Sequence, residues 1–348
     1  MRVLHLNTGS KGGIQTAFVQ TVRGLSKREG MVQRVLSHKH HIDTFRNLNN
    51  VTTASIKAEH QLRDFGNHWR FRYEIVKFNP DIIQLWSHKV SWFLTPRWLK
   101  KPTCIFLGTS IWPRRFQRLK KAVDAWLTCS EQVRQDTIAL GAPDASVGRL
   151  LHFPDHVDVP PSSRAVLGLK DTDIVAVAAG RLSHQKAFDI LIPAMAQAPG
   201  ITLLLAGEGE DEAMLRALAV QHGVAERVQF LGWRSDVANL FAMADIAVMP
   251  SRYEPFGFVM LEAMAQGTPL ILTNVKGPDE VAKNNQNSLT VPPENIDELA
   301  AALRTLRDDP ALRAQLGKAG RATVRTTYNE DTSINQLIDF YKKMKVSA

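Results

Sequence analysis

The sequence predicts an α/β chain of two doubly wound units, each a parallel sheet covered by helices, facing each other across a cleft. Three observations predict it. Short apolar runs alternate with segments of helical period, the pattern of strands joined by helical crossovers. The alternation stops once, in Phe153 to Arg164 (FPDHVDVPPSSR), where three prolines and two serines break all periodicity, and restarts at Asp173. At 348 residues the chain is long for one core and comfortable for two.

Taken in order, Arg2 to Asn7 is an apolar strand running into Thr8-Gly9-Ser10-Lys11-Gly12-Gly13 and then a periodic helix, Ile14 to Leu25. Such a βα unit lets a ligand phosphate or hydroxyl approach bare backbone. Its glycine spacing is neither G-x-G-x-x-G nor a Walker A loop, so no nucleotide fingerprint is read from it. Strands follow at Gln33 to Ser37, Val51 to Ile56, Asp81 to Trp86, Thr103 to Leu107, Ala125 to Cys129 and Ser146 to His152. Helices are expected at Gln61 to Lys77 and at Ser130 to Leu140, the latter capped by Ser130. Beyond the linker come strand Ile174 to Ala179, helix Ala187 to Gln197, strand Ile201 to Ala206, helix Glu210 to His222, strand Val228 to Leu231, helix Asp236 to Ala244 and strand Ile246 to Met249. A helix opening near Phe256 or Gly257, strand Pro269 to Leu272, a short helix at Pro278 to Ala282, strand Ser288 to Val291 and three helical stretches from Ile296 complete the chain.

Composition narrows the function classes. Cys104 and Cys129 are the only cysteines and form no C-x-x-C pair, which argues against a disulfide framework or cysteine metal site. No stretch reaches 18 apolar residues and no signal-like apolar core follows Met1, so a cytoplasmic protein that neither spans a membrane nor is exported is expected. Charge is uneven: residues 1–160 hold 24 Lys and Arg against 12 Asp and Glu, whereas the remainder holds 19 against 22. The basic half is expected to meet an anionic surface or substrate, and no nucleic-acid motif accompanies it.

The stretch Ser251 to Leu272 (SRYEPFGFVMLEAMAQGTPLIL) concentrates the chemistry. Glu254 stands before a helix start and Glu262 inside the helix, so the two carboxylates can bracket one extended ligand. The amides at that start, around Phe256, Gly257, Phe258 and Val259, suit hydroxyl-rich or anionic groups. After another strand, Gly180-Arg181 and Lys186 can converge on a diphosphate, or be ordinary loop cations. Gly207-Glu208-Gly209 and Gly232 to Val237, with Arg234, end the next two strands on the same sheet edge and suit a base and a ribose, although Asp236 also reads as a helix cap.

Together with Gly277-Pro278-Asp279-Glu280-Val281, these elements resemble the ordered signature of the family 4 GT-B glycosyltransferases (glycosyl transferases group 1), from about Ile174 to Tyr328; Arg2 to Ile14 is similar to that family's opening loop. The resemblance implies a GT-B fold of two Rossmann-like domains: an acceptor domain at 1–157, a donor domain at 158–328 and a C-terminal helix at 329–348 able to pack back on the first. It implies that Arg181 and Lys186 hold the donor diphosphate, Glu262 the ribose hydroxyls and Glu254 the donor sugar. Gly180, Gly207, Glu208 and Arg234 would frame the nucleotide, and Gly12-Gly13 would close over the donor. A retaining transfer without metal or cofactor follows, from a UDP- or GDP-linked sugar to a glycan or lipid-linked acceptor, such as one of bacterial lipopolysaccharide assembly. A GT-B-like phosphorylase or epimerase, or an anionic-polymer-binding protein with a degenerate site, are the alternatives.

The chain departs from the family pattern in two places. Lys186 is followed by Ala187 where the family has glycine, and alanine is expected not to adopt an unusual backbone angle there. No histidine follows the strand Cys104 to Leu107; His88 is a cleft candidate or a surface residue. The His38, His40 and His41 cluster reads as surface, and Asp171-Thr172-Asp173 as a turn rather than a metal site. Ile111 to Trp126 reads as a basic amphipathic element, with Trp112, Phe116, Leu119 and Val123 at helical spacing among five cations. It can dock on an anionic membrane at the inner face of the cytoplasmic membrane, or face the core with a solvated basic back.

Overall fold

The computed structural model describes residues 1–8, 12–56, 65–86, 101–155 and 157–346. Contacts within the chain gather into two units, Met1–His152 with Glu330–Ala348, and Phe153–Asn329.

The first unit runs β1 (Arg2–Leu6), α1 (Gly13–Ser26), β2 (Val32–Ser37), α2 (Lys39–Ile42), β3 (Val51–Ser55), α3 (Phe65–Phe78), β4 (Ile82–Leu85), β5 (Thr103–Leu107), α4 (Pro113–Leu119), β6 (Ala125–Thr128), α5 (Glu131–Ala139) and β7 (Val147–Arg149). Its strands form a seven-stranded sheet in the order β3-β2-β1-β4-β5-β6-β7. Val3 pairs with Gln33 on one side and with Ile82 on the other, both in parallel. Strands β4, β5 and β6 are buried throughout, as expected where helices cover both faces. Ser130 caps α5 as its sequence position predicts, accepting from the Val133 amide at 3.3 Å.

Three buried polar side chains in this sheet satisfy one another. Trp86 Nε1 donates to His5 Nδ1 at 3.2 Å, His5 Nε2 faces Gln33 Oε1 at 3.0 Å, and Gln33 Nε2 donates to the Val22 carbonyl at 3.1 Å. The Trp86 bond requires an acceptor at Nδ1, so His5 is neutral with its proton on Nε2. Burial pushes the His5 pKa down to about 3.

The second unit runs β8 (Ile174–Ala179), α6 (Phe188–Gln197), β9 (Ile201–Ala206), α7 (Glu212–Gln221), β10 (Val228–Phe230), α8 (Val237–Met243), β11 (Ile246–Met249), α9 (Phe258–Gln266), β12 (Leu270–Thr273), β13 (Leu289–Val291), α10 (Ile296–Asp308) and α11 (Pro310–Thr326). Its six strands, all parallel, lie in the order β10-β9-β8-β11-β12-β13. The core behind them is aliphatic, with Leu191, Ile192, Leu203, Leu205, Leu303 and Leu306 fully buried. Strand order reverses between β8 and β11, which makes the carboxyl ends of those two strands the crevice of this sheet.

The final helix, α12 (Glu330–Val346), groups with the first unit. Two glycines make room for it: a Cβ at Gly24 on α1 would come within 2.5 Å of Ile334, and one at Gly148 on β7 within 2.6 Å of Phe340. Buried Tyr341 donates to Gln84 Oε1 at 3.0 Å, and Lys27–Glu330 and Lys345–Asp81 pair at 2.7 and 2.8 Å.

The basic element at Ile111 to Trp126 is not one helix. Helix α4 stops at Leu119 and a turn leads directly into β6, because Ala125 and Trp126 satisfy the sheet instead. Phe116 and Leu119 are buried and Phe116 stacks on Trp126 at 4.8 Å, so the apolar stripe faces the core. Trp112 alone breaks from it, 77% exposed. Asp236 does not cap α8: its carboxylate is engaged by Arg234.

Candidate active site

At the β8/β11 crevice the glycines predicted from sequence let backbones touch. A Cβ on Gly207 would lie 1.9 Å from the Gly180 carbonyl oxygen, and one on Gly277 would lie 2.4 Å from that of Glu254. Any side chain at either position would push the loops apart. Loop-to-loop bonds hold the approach: Gly180 N to Ala206 O at 2.9 Å, Leu182 N to Glu208 O at 2.9 Å and Gly207 N to Gly232 O at 2.7 Å. The Gly180, Gly207 and Gly232 turns therefore form one layer along the strand ends.

Lys186 and Glu254 meet there. The Lys186 ammonium bonds Glu254 Oε2, and both side chains are largely buried, at 17% and 10% exposure. Arg181, five residues before Lys186, points into solvent and makes an open pair with Glu210 at 3.2 Å; its side chain is 73% exposed. The two cations thus differ in kind: one is buried against a buried partner, the other is exposed and paired with an exposed partner.

The turn that carries Lys186 has an unusual backbone. Ala187 sits in the left-handed region at φ 53°, fully buried, contrary to the expectation that alanine would avoid such an angle. A non-glycine residue there costs on the order of 1–2 kcal/mol, so the neighbouring structure must hold it. Arg252 does so. Its Nη1 donates to the His184 carbonyl at 2.7 Å and to Asp189 Oδ1 at 2.8 Å, and Nη2 donates to Asp189 Oδ2 at 2.6 Å and to Glu294 Oε2 at 3.1 Å. Nε donates to Glu294 Oε1, which uses every N–H of the guanidinium. Main chain adds Arg252 N to Gln185 O at 2.9 Å, and the Gln185 side chain returns to the Tyr253 carbonyl at 2.9 Å. Burial opposes the charge on Asp189, but the Arg252 bonds win and hold its carboxyl below the usual range. Arg252, Asp189 and Glu294 are absent from the sequence-predicted set. They are far apart in the chain and match no spacing rule; only the position of Arg252, two residues before Glu254, hinted at a role.

Helix α9 starts at Phe258 behind Gly257, one residue later than expected. Phe256 is buried against Phe258, with ring centroids 6.0 Å apart, and Phe258 and Val259 are half-buried in the first turn. Glu262 lies half-buried in the second turn. Burial, reinforced by the Asp155 carboxylate, pushes its pKa up to about 7. Asp155 was not anticipated; it comes from the stretch read only as linker. Glu208 Oε1 faces the Trp233 amide at 3.4 Å, and Arg234 grips Asp236 through two bonds of 2.8 and 2.7 Å.

In the first unit, Gly12 (φ 98°) and Gly13 are exposed and open α1 after β1. Beneath them Asn7 Nδ2 donates to Gln15 Oε1 at 2.6 Å, Gln15 Nε2 meets His41 Nδ1 at 3.0 Å, and His38 Nε2 lies 3.3 Å from the Thr8 carbonyl. His38 and His41 are buried at 6% and 9% exposure, which corrects their reading as surface residues: short α2 folds them inward, toward Thr8 and Gln15. His88 lies outside the described residues. The Asp173 carboxylate accepts from the Lys170 amide at 2.8 Å, a turn as expected, and among the described residues no group of three His, Cys, Asp or Glu could hold a metal ion. At the start of α4, Trp112, Arg114, Arg115 and Arg118 line an open cavity of about 410 Å³. Among the described residues no helix is long and apolar enough to cross a membrane.

The second unit contains the stretch, residues 161–323, that matches the glycosyl transferases group 1 family. Across 99% of this chain and 98% of its own length, the lipopolysaccharide core biosynthesis glycosyltransferase LpsD of Rhizobium meliloti (strain 1021) is 30% identical. LpsE of the same organism, also a lipopolysaccharide core biosynthesis glycosyltransferase, is 28% identical over 93% of this chain and 94% of its own. Among solved structures, Anabaena Alr3699/HepE in complex with UDP-glucose is similar with a TM-score of 0.85 at 20% identity, covering 98% of this chain and 99% of that one. A glycosyltransferase from Rickettsia africae ESF-5 is similar with a TM-score of 0.85 at 16% identity, covering 100% and 99%. At such identities the structural likeness shows the fold.

Proposed function

The chain belongs to the glycosyl transferases group 1 family and is a glycosyltransferase, and from that premise we propose that it is a retaining, metal-independent member of family 4. The donor is a UDP- or GDP-linked sugar. The acceptor is a glycan or lipid-linked glycan of bacterial envelope assembly, in keeping with the lipopolysaccharide relatives. The observation that carries the reading is the Lys186–Glu254 pair at the β8/β11 crevice, with Glu262 in the second turn of the adjoining helix.

In this reading Lys186 and Arg181 take the diphosphate as charge-assisted donors, and α9 offers its first-turn amides to sugar hydroxyls or phosphate. Glu262 accepts from the ribose hydroxyls and Glu254 from the donor sugar, while Glu208 and Arg234 lie toward the nucleoside. The bond between the anomeric carbon and the diphosphate oxygen breaks with its electron pair leaving on that oxygen. The acceptor hydroxyl adds to the same face and passes its proton to the departing phosphate. Negative charge grows on the leaving diphosphate, so cations placed beside it stabilise the transition state more than the ground state. These cations do the work that a divalent metal does in other transferases.

The cavity formed by Trp112 and three arginines supports a peripheral contact with anionic lipid headgroups and a location at the inner face of the cytoplasmic membrane. An exposed indole beside cations suits a membrane interface.

The test is a thermal-shift screen of UDP- and GDP-sugars, followed by transfer assays with EDTA present and NMR of the product anomer. Stabilisation by one donor and transfer with retention in EDTA are expected. Stabilisation by none would overturn the donor reading; an inverted product or a strict metal requirement would overturn the mechanism. Turnover with orthophosphate as the preferred acceptor would favour a phosphorylase.

A further inference from the structure

We propose that Arg252 is a positioning residue for donor binding, acting through Lys186; this rests on the donor reading of Lys186 above. The argument starts from the strained turn. Ala187 occupies a backbone region that alanine disfavours, and it is the residue between Lys186 and α6. Arg252 grips this turn on both sides, at the His184 carbonyl before it and at the Asp189 carboxylate after it. Its own main chain bonds Gln185, the immediate neighbour of Lys186, and its sequence neighbour Tyr253 receives the Gln185 side chain.

Residues 184–189 and 252–254 are therefore fastened together at five points, and Lys186 and Glu254 are the two side chains left facing each other from the joined loops. Glu294 completes the brace from the turn before α10. A left-handed alanine is held only when its surroundings over-determine it, and this guanidinium is what does so. Lysine cannot replace it, because one ammonium cannot present a planar fork to Asp189, Glu294 and a carbonyl together. Arg252 touches no reacting atom in this scheme; it sets where the Lys186 ammonium stands.

The experiment is a double-mutant cycle read by calorimetric binding of UDP or GDP, whichever the wild-type chain binds more tightly. Arg252→Ala and Arg252→Lys are each expected to weaken binding at least tenfold. In a Lys186→Ala background the same Arg252→Ala change is expected to cost less than twofold, since its target is gone. Ala187→Gly, which makes the left-handed turn easy without the brace, is expected to recover several-fold of the affinity lost in Arg252→Ala.

Wild-type affinity in Arg252→Ala, or an undiminished loss in the Lys186→Ala background, overturns the proposal. No recovery by Ala187→Gly overturns its route through the turn. If Arg252→Ala does not fold, Glu294→Gln and Asp189→Asn each remove one arm, and the same dependence on Lys186 is expected of their smaller losses. A Lys186→Ala chain that binds like wild type instead defeats the donor reading itself, a separate and distinguishable failure.

Discussion

In the first unit, the strands on either side of the switch in order, with their neighbour β2, bury His5, Gln33, Ser37 and Gln84; the matching strands of the second unit, IVAVAA, ITLLLA and IAVM, bury no polar side chain. The two sheets put hydrogen-bonding groups to different uses. In the first, His5, Gln33 and Gln84 bond other side chains from inside the sheet and specify packing: His5 ties Trp86 to β2, and Gln84 receives Tyr341 from α12. In the second, the sheet is sealed with aliphatic side chains and the polar residues gather at the strand ends, where an incoming ligand can share their bonds. Buried polar groups already satisfied are structural; those at a crevice are available for chemistry.

The difference has a pH signature of opposite sign in the two units. His5 and His152 are both buried with pKa values near 3, in each case chiefly by burial, with Arg149 adding to the effect at His152. An unfolded histidine takes up a proton below about pH 6.5 while the folded one stays neutral, so their stabilisation is whole above that value and is lost as pH falls toward 3. Each histidine is expected to lower the folding equilibrium about tenfold per pH unit across that window. Glu262 works the other way: its folded pKa is raised from the usual carboxylate value to about 7, so its favourable contribution is present below about pH 4.5 and fades as pH rises to 7. Peptide-resolved hydrogen exchange from pH 7 to 4 is expected to show the first unit losing protection before the second. Equal loss in both would break the contrast.

The next effect in size concerns the crevice. Lys186→Ala is expected to lower kcat/KM for the donor on the order of 100-fold, the scale of one fixed donor to a developing charge, with the first unit's exchange protection unchanged. Steady-state kinetics with donor varied checks it; an unchanged kcat/KM would show that the buried pair is structural, like the His5 network.

A smaller effect sharpens the Glu262 assignment. A carboxyl group accepts from two ribose hydroxyls best when ionised, so nucleotide affinity is expected to fall by up to about tenfold between pH 8 and 6, and Glu262→Gln is expected to remove that dependence. Calorimetry at the two pH values measures it. The smallest effect is that of Ala187→Gly alone. Relief of the left-handed strain and loss of a buried methyl are of similar size and opposite sign, so denaturant unfolding is expected to shift by under about 1 kcal/mol. A large destabilisation would mean that the methyl matters more than the turn.

Much of the fold was legible because a strand buried on both faces and a one-sided helix leave distinct periods in the chain. Gly180, Lys186, Glu254 and Glu262 could be singled out as candidates because each stands after a readable strand or beside or within a readable helix. In the Ile111 to Trp126 element the helical spacing runs on past Leu119, where the helix ends, and Ala125 and Trp126 join the sheet as the expected strand from Ala125. The burial of His38 and His41 was hidden because α2 is four residues long, too short to leave a period.

What the chain carries in its local order is therefore the alternation of the two units, the glycines where backbones must touch, and the carboxylates and cations at the ends of strands. These follow from nearest-neighbour sterics and from the periods of helix and strand, which act over a few residues. What tertiary structure decided is which of those groups are held and by what. Arg252 reaches Asp189 and Glu294 across 63 and 42 positions, and burial together with Asp155, from within the linker stretch, raises the pKa of Glu262. Directed bonds and charge act through space, and the distances they act over are set only once the sheet has closed.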